Sequence, residues 1–185
     1  MNRSMSASEV NSSKFWFVMR DLKRSNARMP AYRFLSDRYF EVFTPMKCQL
    51  SIRDGRRLKE MVPVIRDLLF VHSSRQELDP VVASTPTLQY RYERGSYCKP
   101  MTVPESEMER FIHAVNATEQ PKYFLPGELT PEMCGRMVHI IGGALNGYEG
   151  RLLSMRGSRK KRLIVDLPNF LSAGVEVEPE FIELL

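Results

Sequence analysis

MVHIIGGALNGYEGRLLSM, residues 137–155, holds the pattern that discriminates best between possible folds. Two apolar runs flank four glycines, Gly142, Gly143, Gly147 and Gly150. A loop that cradles phosphate needs G-x-x-x-x-G-K-[ST] or G-x-G-x-x-G, in each case opening a helix. Here Gly150 runs into Arg151 and Leu152, and the residues after it read as a strand, so neither phosphate loop fits. The pattern predicts strand, glycine-containing loop, strand. Gly143 and Gly147 permit positive φ in the turn, and Gly150 lets the chain bend sharply into the next strand.

Around this stretch, the C-terminal third holds only short strand patterns, at 136–141, 150–155, 163–167 and 174–178. They suit a small five-stranded barrel or half-barrel. The closing PEFIELL suits one helical turn. Upstream, NATEQPKYFLPGEL (116–129) has two prolines and little periodicity, and it reads as a linker.

Before the linker, strand and helix patterns mix. KFWFVM (14–19) is aromatic and β-branched, as a strand is. A helix fits 27–38, with Pro30 in its first turn. EVFTPM (41–46) is a second strand, with Pro45 at its edge or end. Asp54-Gly55 sits between alternating segments and predicts a tight hairpin. DLLFVHS (67–73) reads as a buried strand, 76–83 as a short helix broken at Pro80, and LQYRYER (88–94) as an alternating strand that 99–103 can pair with. Residues 104–117 form an amphipathic helix with Met108, Phe111, Ile112 and Val115 on its apolar face. The fold class is α+β.

The chain has 185 residues, 43% apolar and 26% charged, which fits a soluble globular protein. No apolar run approaches the ~20 residues of a membrane span. Residues 1–13 are polar, lack the apolar segment of a signal peptide, and read as a disordered tail. Cys48, Cys98 and Cys134 have no C-x-x-C spacing, so they read as free thiols in a reducing cytoplasm rather than as zinc ligands. His72, His113 and His139 stand apart from any metal or triad spacing, which argues against catalysis, metal or cofactor. Residues 1–117 carry 19 Lys/Arg against 13 Asp/Glu, and residues 118–185 carry 8 against 9. The basic excess in the first part favours nucleic acid or an acidic partner.

The 137–155 stretch resembles the KOW motif of NusG-type transcription factors. Val138 and Ile140 lie in its apolar strand. Gly143-Ala144-Leu145 stands where Gly-Pro-Phe is usual, Gly147 lies in the loop, and Gly150 takes the place of the invariant glycine. KFWFVM resembles the opening strand of that family's N-terminal (NGN) domain, with Trp16-Phe17 for its Trp-Tyr. EVFTPM matches a family strand ending in proline. IRDLLFV (65–71) stands where Phe-Pro-Gly-Tyr-x-Phe-Val is usual; the proline and glycine are missing, and Leu68 replaces the tyrosine. KPMTVPESEMERFIHAV matches the closing segment. The polar start, short linker and VPESEMERFI are most similar to UpxY-type antiterminators of capsular polysaccharide loci.

The resemblance implies a tail (1–13), an NGN-like antiparallel sheet with flanking helices (14–117), a linker (118–128) and a five-stranded SH3-like KOW barrel (129–185). It implies a cytoplasmic, operon-specific elongation or antitermination factor. Such a factor binds the clamp helices of the largest RNA polymerase subunit through an apolar depression. Trp16, Phe43, Pro45, Leu68 and Phe70 would line or support that depression; aromatics at alternating strand positions are equally consistent with core. Lys23, Arg24, Arg28 and Arg33 would face the upstream DNA fork or non-template strand, or else form a solvated face. The hairpin cations Arg53, Arg56, Arg57 and Lys59 read the same way. Tyr90, Arg91, Tyr92 and Arg94 fit a base-stacking platform or a half-buried strand. RGSRKKR (156–162) is a basic turn open to nascent RNA or to solvent. The KOW part would recruit a ribosomal protein or a termination helicase. The competing reading is a ribosome-associated or general RNA-binding KOW protein.

Overall fold

Phe15–Asp21 (β1) is an aromatic and β-branched strand whose residues 16–19 are buried in succession, so both of its faces are covered. A computed structural model describes residues 13–185 apart from 24–27, 54–55, 155–156 and 158–159. By their internal contacts these residues fall into two compact units, one ending at Glu105 and one spanning Ser106–Leu185.

In the first unit, β1 is followed by a helix α1 (Ala31–Ser36), then β2 (Glu41–Phe43), β3 (Met46–Arg53), β4 (Arg56–Pro63) and β5 (Leu68–Ser73). A second helix α2 (Arg75–Ser84) and strands β6 (Leu88–Tyr90) and β7 (Thr102–Val103) complete it. One sheet runs β2-β5-β1-β6, with β7 also on β1, and every pairing is antiparallel. Cross-strand partners share a face. Phe17, Met19, Leu69, Val71 and Tyr90 point to one face and pack with Leu35 of α1 and Leu78 of α2. Trp16, Val18, Phe43, Leu68 and Phe70 point to the other, as the pairs Val18↔Phe70, Phe43↔Phe70 and Arg20↔Leu68 require.

β3 and β4 form a separate two-stranded ribbon in unbroken register from Met46↔Pro63 to Arg53↔Arg56. That is the two-residue hairpin predicted from Asp54-Gly55, residues that themselves lie outside the described ones. α2 runs through Pro80 without the expected break. Its first turn is held by Ser74, whose hydroxyl accepts from the Glu77 amide at 3.3 Å, and Leu78 anchors it in the core. α1 is shorter than the helix expected over 27–38, and Pro30 occupies its N-cap rather than its first turn.

The second unit holds most of α3 (Glu105–Asn116), in which Met108, Phe111, Ala114 and Val115 are buried; Ile112, expected with them, is only half-buried. Then come β8 (Lys122–Phe124), β9 (Cys134–Ile140), β10 (Glu149–Leu153), β11 (Arg162–Leu167), β12 (Leu171–Glu176) and β13 (Ile182–Leu184). They form an open six-stranded sheet in the order β13-β9-β10-β11-β12-β8, where a five-stranded barrel or half-barrel was expected. The difference comes from both flanks. The linker-like stretch contributes β8, whose Tyr123 and Phe124 pair with Ala173 and Ser172. The final segment makes a single 3₁₀ turn and then continues as β13 on β9.

The loop between β9 and β10 turns where Gly143 and Gly147 adopt φ of +67° and +81°. At Gly150 a Cβ would meet the backbone oxygen of Ile164 at 2.8 Å. A Gly150→Ala variant is therefore expected to lose about 1–3 kcal/mol through overpacking against an unyielding strand. Gly147→Ala, which has open space around it but keeps positive φ, is expected to lose about 1–2 kcal/mol. Urea unfolding of the two variants checks both.

Candidate functional site

The five residues assigned to polymerase binding lie together at one face and edge of the first sheet. Trp16 is buried and stacks on His72, with ring centroids 5.1 Å apart and planes at 19°. His72 Nδ1 lies 2.8 Å from Glu41 Oε2, and its Nε2 lies 3.7 Å from Glu105 Oε1. Leu68 and Phe70 are 2% and 0% exposed. Pro45 is buried between β2 and β3, and its carbonyl accepts from the Val64 amide at 2.8 Å, fastening the base of the ribbon. Phe43 alone of the five is half-buried; its ring tilts against Phe70 at 6.3 Å. Four of the five thus shape the face from beneath, and Phe43 keeps accessible surface.

A cleft of about 990 Å³ opens between α1, the base of the β3–β4 ribbon and the start of β5. Three predicted nucleic-acid residues, Lys23, Arg28 and Arg33, line it, joined by Lys47 and Arg66. The fourth, Arg24, lies outside the described residues. Asp21 organises this wall. One carboxylate oxygen accepts from the Lys23 amide at 3.0 Å, the other from the Ala31 amide at 2.6 Å. The first turn of α1 thereby gains an acceptor that its own N-cap, Pro30, does not supply. Lys23 Nζ donates to the Met29 carbonyl at 2.9 Å and lies 5.3 Å from the Phe34 ring. Among the acids of the cleft, Asp67 is engaged by Arg20 at 3.1 Å and Arg91 at 3.6 Å. Glu60 lines the cleft as well, so five cations face three carboxylates and the concavity is basic on balance. Lys47 and Arg66 were not singled out from the sequence. They lie far along the chain from Lys23, and only the ribbon folding back beside α1 brings them there.

The remaining cations separate into free and committed ones. Arg56, Arg57 and Lys59 of the ribbon are exposed; the side chain of Arg53 lies outside the described ones. Tyr90 belongs to the core, not to a stacking platform. Its hydroxyl donates to Asp79 at 2.8 Å, and burial, reinforced by that bond, pushes its pKa up. Tyr92 is half exposed. In the basic turn of the second unit, Arg156, Ser158 and Arg159 lie outside the described residues. Lys160 and Arg162 both pair with Glu176, at 2.8 and 2.6 Å. The Glu176 carboxyl is held below its usual range, first by the Lys160 hydrogen bond and also by Arg162. Two of that turn's cations therefore share one carboxylate and are already engaged. Val138 and Ile140 of the KOW-like stretch are 0% and 1% exposed and serve as core. Among the described residues no cluster of His, Cys, Asp or Glu could hold a metal ion, and no helix is long and apolar enough to cross a membrane.

Residues 14–112 match the family model "NusG: Transcription termination factor nusG". Among solved structures the chain is similar to Thermotoga maritima NusG, described for its domain interaction. Identity is 16% over 94% of this chain and 98% of that one, with a TM-score of 0.43. No curated protein matches the chain.

Because Asp21 serves two backbone amides at the cleft wall, Asp21→Ala is expected to cost about 1–2 kcal/mol and to loosen α1. Thermal unfolding measures the first effect. Faster amide exchange at Lys23 and Ala31, with the rest of the sheet unchanged, reports the second.

Proposed function

This chain belongs to the NusG family of transcription factors, and on that basis we propose that it binds elongating RNA polymerase and modulates pausing and termination as an operon-specific antiterminator. Its specialisation is of the UpxY kind. Residues 14–117 act as the NGN-like, polymerase-binding part; 118–128 act as the connection; 129–185 act as a KOW-like part that meets nascent RNA, a ribosomal protein or a termination helicase. The family match carries this reading, and it ends at residue 112, inside α3. The protein works in the cytoplasm and catalyses no reaction.

The clustering of Trp16, Phe43, Leu68 and Phe70 on one sheet face supports a contact with the clamp helices of the largest subunit. Phe43 is the residue that reaches the partner. Trp16, Leu68, Phe70 and the buried Pro45 hold the shape beneath it. An aromatic anchor in a packed surround is where binding energy concentrates. The absence of a tyrosine at Leu68 retunes this contact by removing a polar tip. The basic cleft of Lys23, Arg28 and Arg33, with Arg24 beside it in sequence, takes DNA at the upstream fork or on the non-template strand.

The test is a titration of core RNA polymerase with the full chain. Phe43→Ala is expected to weaken binding about tenfold with little change in melting temperature. Phe70→Ser, by contrast, is expected to cost at least about 3 kcal/mol of stability. In a terminator read-through assay the wild type raises read-through and Phe43→Ala does not. Absence of polymerase binding at low salt, by a chain shown to be folded, overturns the proposal.

A further inference from the structure

Charge pairing is lopsided in the cleft between α1, the base of the ribbon and the start of β5. Its three carboxylates are all engaged. Asp21 accepts from the Lys23 and Ala31 amides, Asp67 is held by Arg20 and Arg91, and Glu60 has a partner of its own. Of its five cations, Lys23 is directed to the Met29 carbonyl. The other four, Arg28, Arg33, Lys47 and Arg66, are exposed, and none of them makes an ion pair among the described residues. Four cations left open around one cavity call for an anion.

Two features select the anion. The first is that the cleft is also apolar. Tyr32, Met61, Val62 and Leu69 line it, and Met61 is 58% exposed. A phosphate group offers nothing to those side chains, whereas a nucleobase offers a flat apolar face. Thr44 is in the lining too, and its hydroxyl is buried without a hydrogen-bond partner, which leaves it for a polar atom of a ligand. The second feature is the density of charge. A nucleotide within a DNA strand carries one negative charge. The polyphosphate tail of a free nucleotide gathers several on one molecule, as four open cations on one cavity require. At about 990 Å³ the cavity is at the upper end of small-molecule sites, about 300–1,000 Å³, and has room for base, sugar and tail together.

We propose that this cleft binds a free nucleoside triphosphate, with the phosphate tail on Arg28, Arg33, Lys47 and Arg66 and the base against Met61 and its apolar neighbours, and that the bound nucleotide excludes DNA from the cleft. The exclusion rests on the reading of the cleft as a DNA site; the nucleotide site itself does not. Nucleoside triphosphates are what RNA polymerase consumes, so their supply would set how firmly the factor holds DNA.

The experiment is isothermal titration calorimetry of the full chain at low salt, without divalent cations, using adenosine and guanosine triphosphates and tripolyphosphate as probes. At least one nucleotide is expected to bind saturably at one site per chain, about tenfold more tightly than tripolyphosphate. Arg33→Ala/Arg66→Ala is expected to weaken the nucleotide and tripolyphosphate at least about tenfold. Met61→Ser is expected to weaken the nucleotide about threefold and to leave tripolyphosphate unchanged. Circular dichroism and the emission of Trp16, the only tryptophan, establish that each variant is folded. Absence of saturable nucleotide binding, or binding indifferent to Arg33→Ala/Arg66→Ala, overturns the proposal. So does tripolyphosphate binding as tightly as the nucleotide with Met61→Ser without effect, since that makes the cleft a general polyanion site. Exclusion is read separately, as displacement of a labelled single strand of DNA by the nucleotide in fluorescence anisotropy. A nucleotide that binds through Arg33 and Arg66 without displacing the strand overturns the exclusion, removes DNA from the cleft and leaves the nucleotide site standing. A strand whose binding depends on Arg33 and Arg66 while neither nucleotide binds overturns the nucleotide site and leaves the DNA reading in place.

Discussion

The six-residue register between β1 and β5 governs the first unit. It sets Phe17 and Met19 beside Leu69 and Val71 on one face, and Trp16 and Val18 beside His72 and Phe70 on the other. Side chains alternate along a strand, so a slip of one residue would exchange the two sets. The helix-covered core would then receive Arg20 if β1 turned over, or His72 if β5 did, and burying either without a partner is costly. One face is filled by α1 and α2, and on the other Phe43 alone of the residues assigned to polymerase keeps accessible surface. The same register brings Asp67 to the end of β1, where Arg20 and Arg91 hold it.

The second unit relies in a similar way on a close approach of backbones. Gly150 lies where β10 passes the β11 backbone, and a side chain there has no room. Leu145, between the two positive-φ glycines, is 3% exposed and closes the core beneath the loop. The glycines that raised the question of phosphate binding are thus explained by turning and packing.

Much of the fold was legible because local rules acted on short segments. Asp54-Gly55 announced a two-residue hairpin, and the Arg53↔Arg56 pairing agrees with it. The apolar run at 68–71 announced a strand buried on both faces, as β5 is. The errors arose where tertiary partners overrode local preference. Residues 122–124 looked like linker because prolines flank them, yet β12 offered an unpaired edge that they could fill. PEFIELL makes the one helical turn expected of it, at Pro179–Phe181, but the residues after it pair with β9, which offered the other edge. With an added strand at each end, the sheet became six-stranded and open. Pro80 looked like a break, but a capped first turn and buried Leu78 kept α2 continuous.

Residue order was enough to establish the strands around the glycines, the hairpin, the basic bias of the first part and, over residues 14–112, the family. Each of these rests on spacing between near neighbours, which a linear reading can measure. Which aromatics are covered and which cations are free was settled by folding. Phe43 keeps open surface while Phe70, of the same chemical type, is fully buried. Lys160 and Arg162 are paired with Glu176, whereas Lys47 and Arg66 meet Lys23 across a cleft. Exposure and charge pairing are set by groups distant along the chain, and folding alone brings those groups within the few ångströms over which contact and hydrogen bonding act.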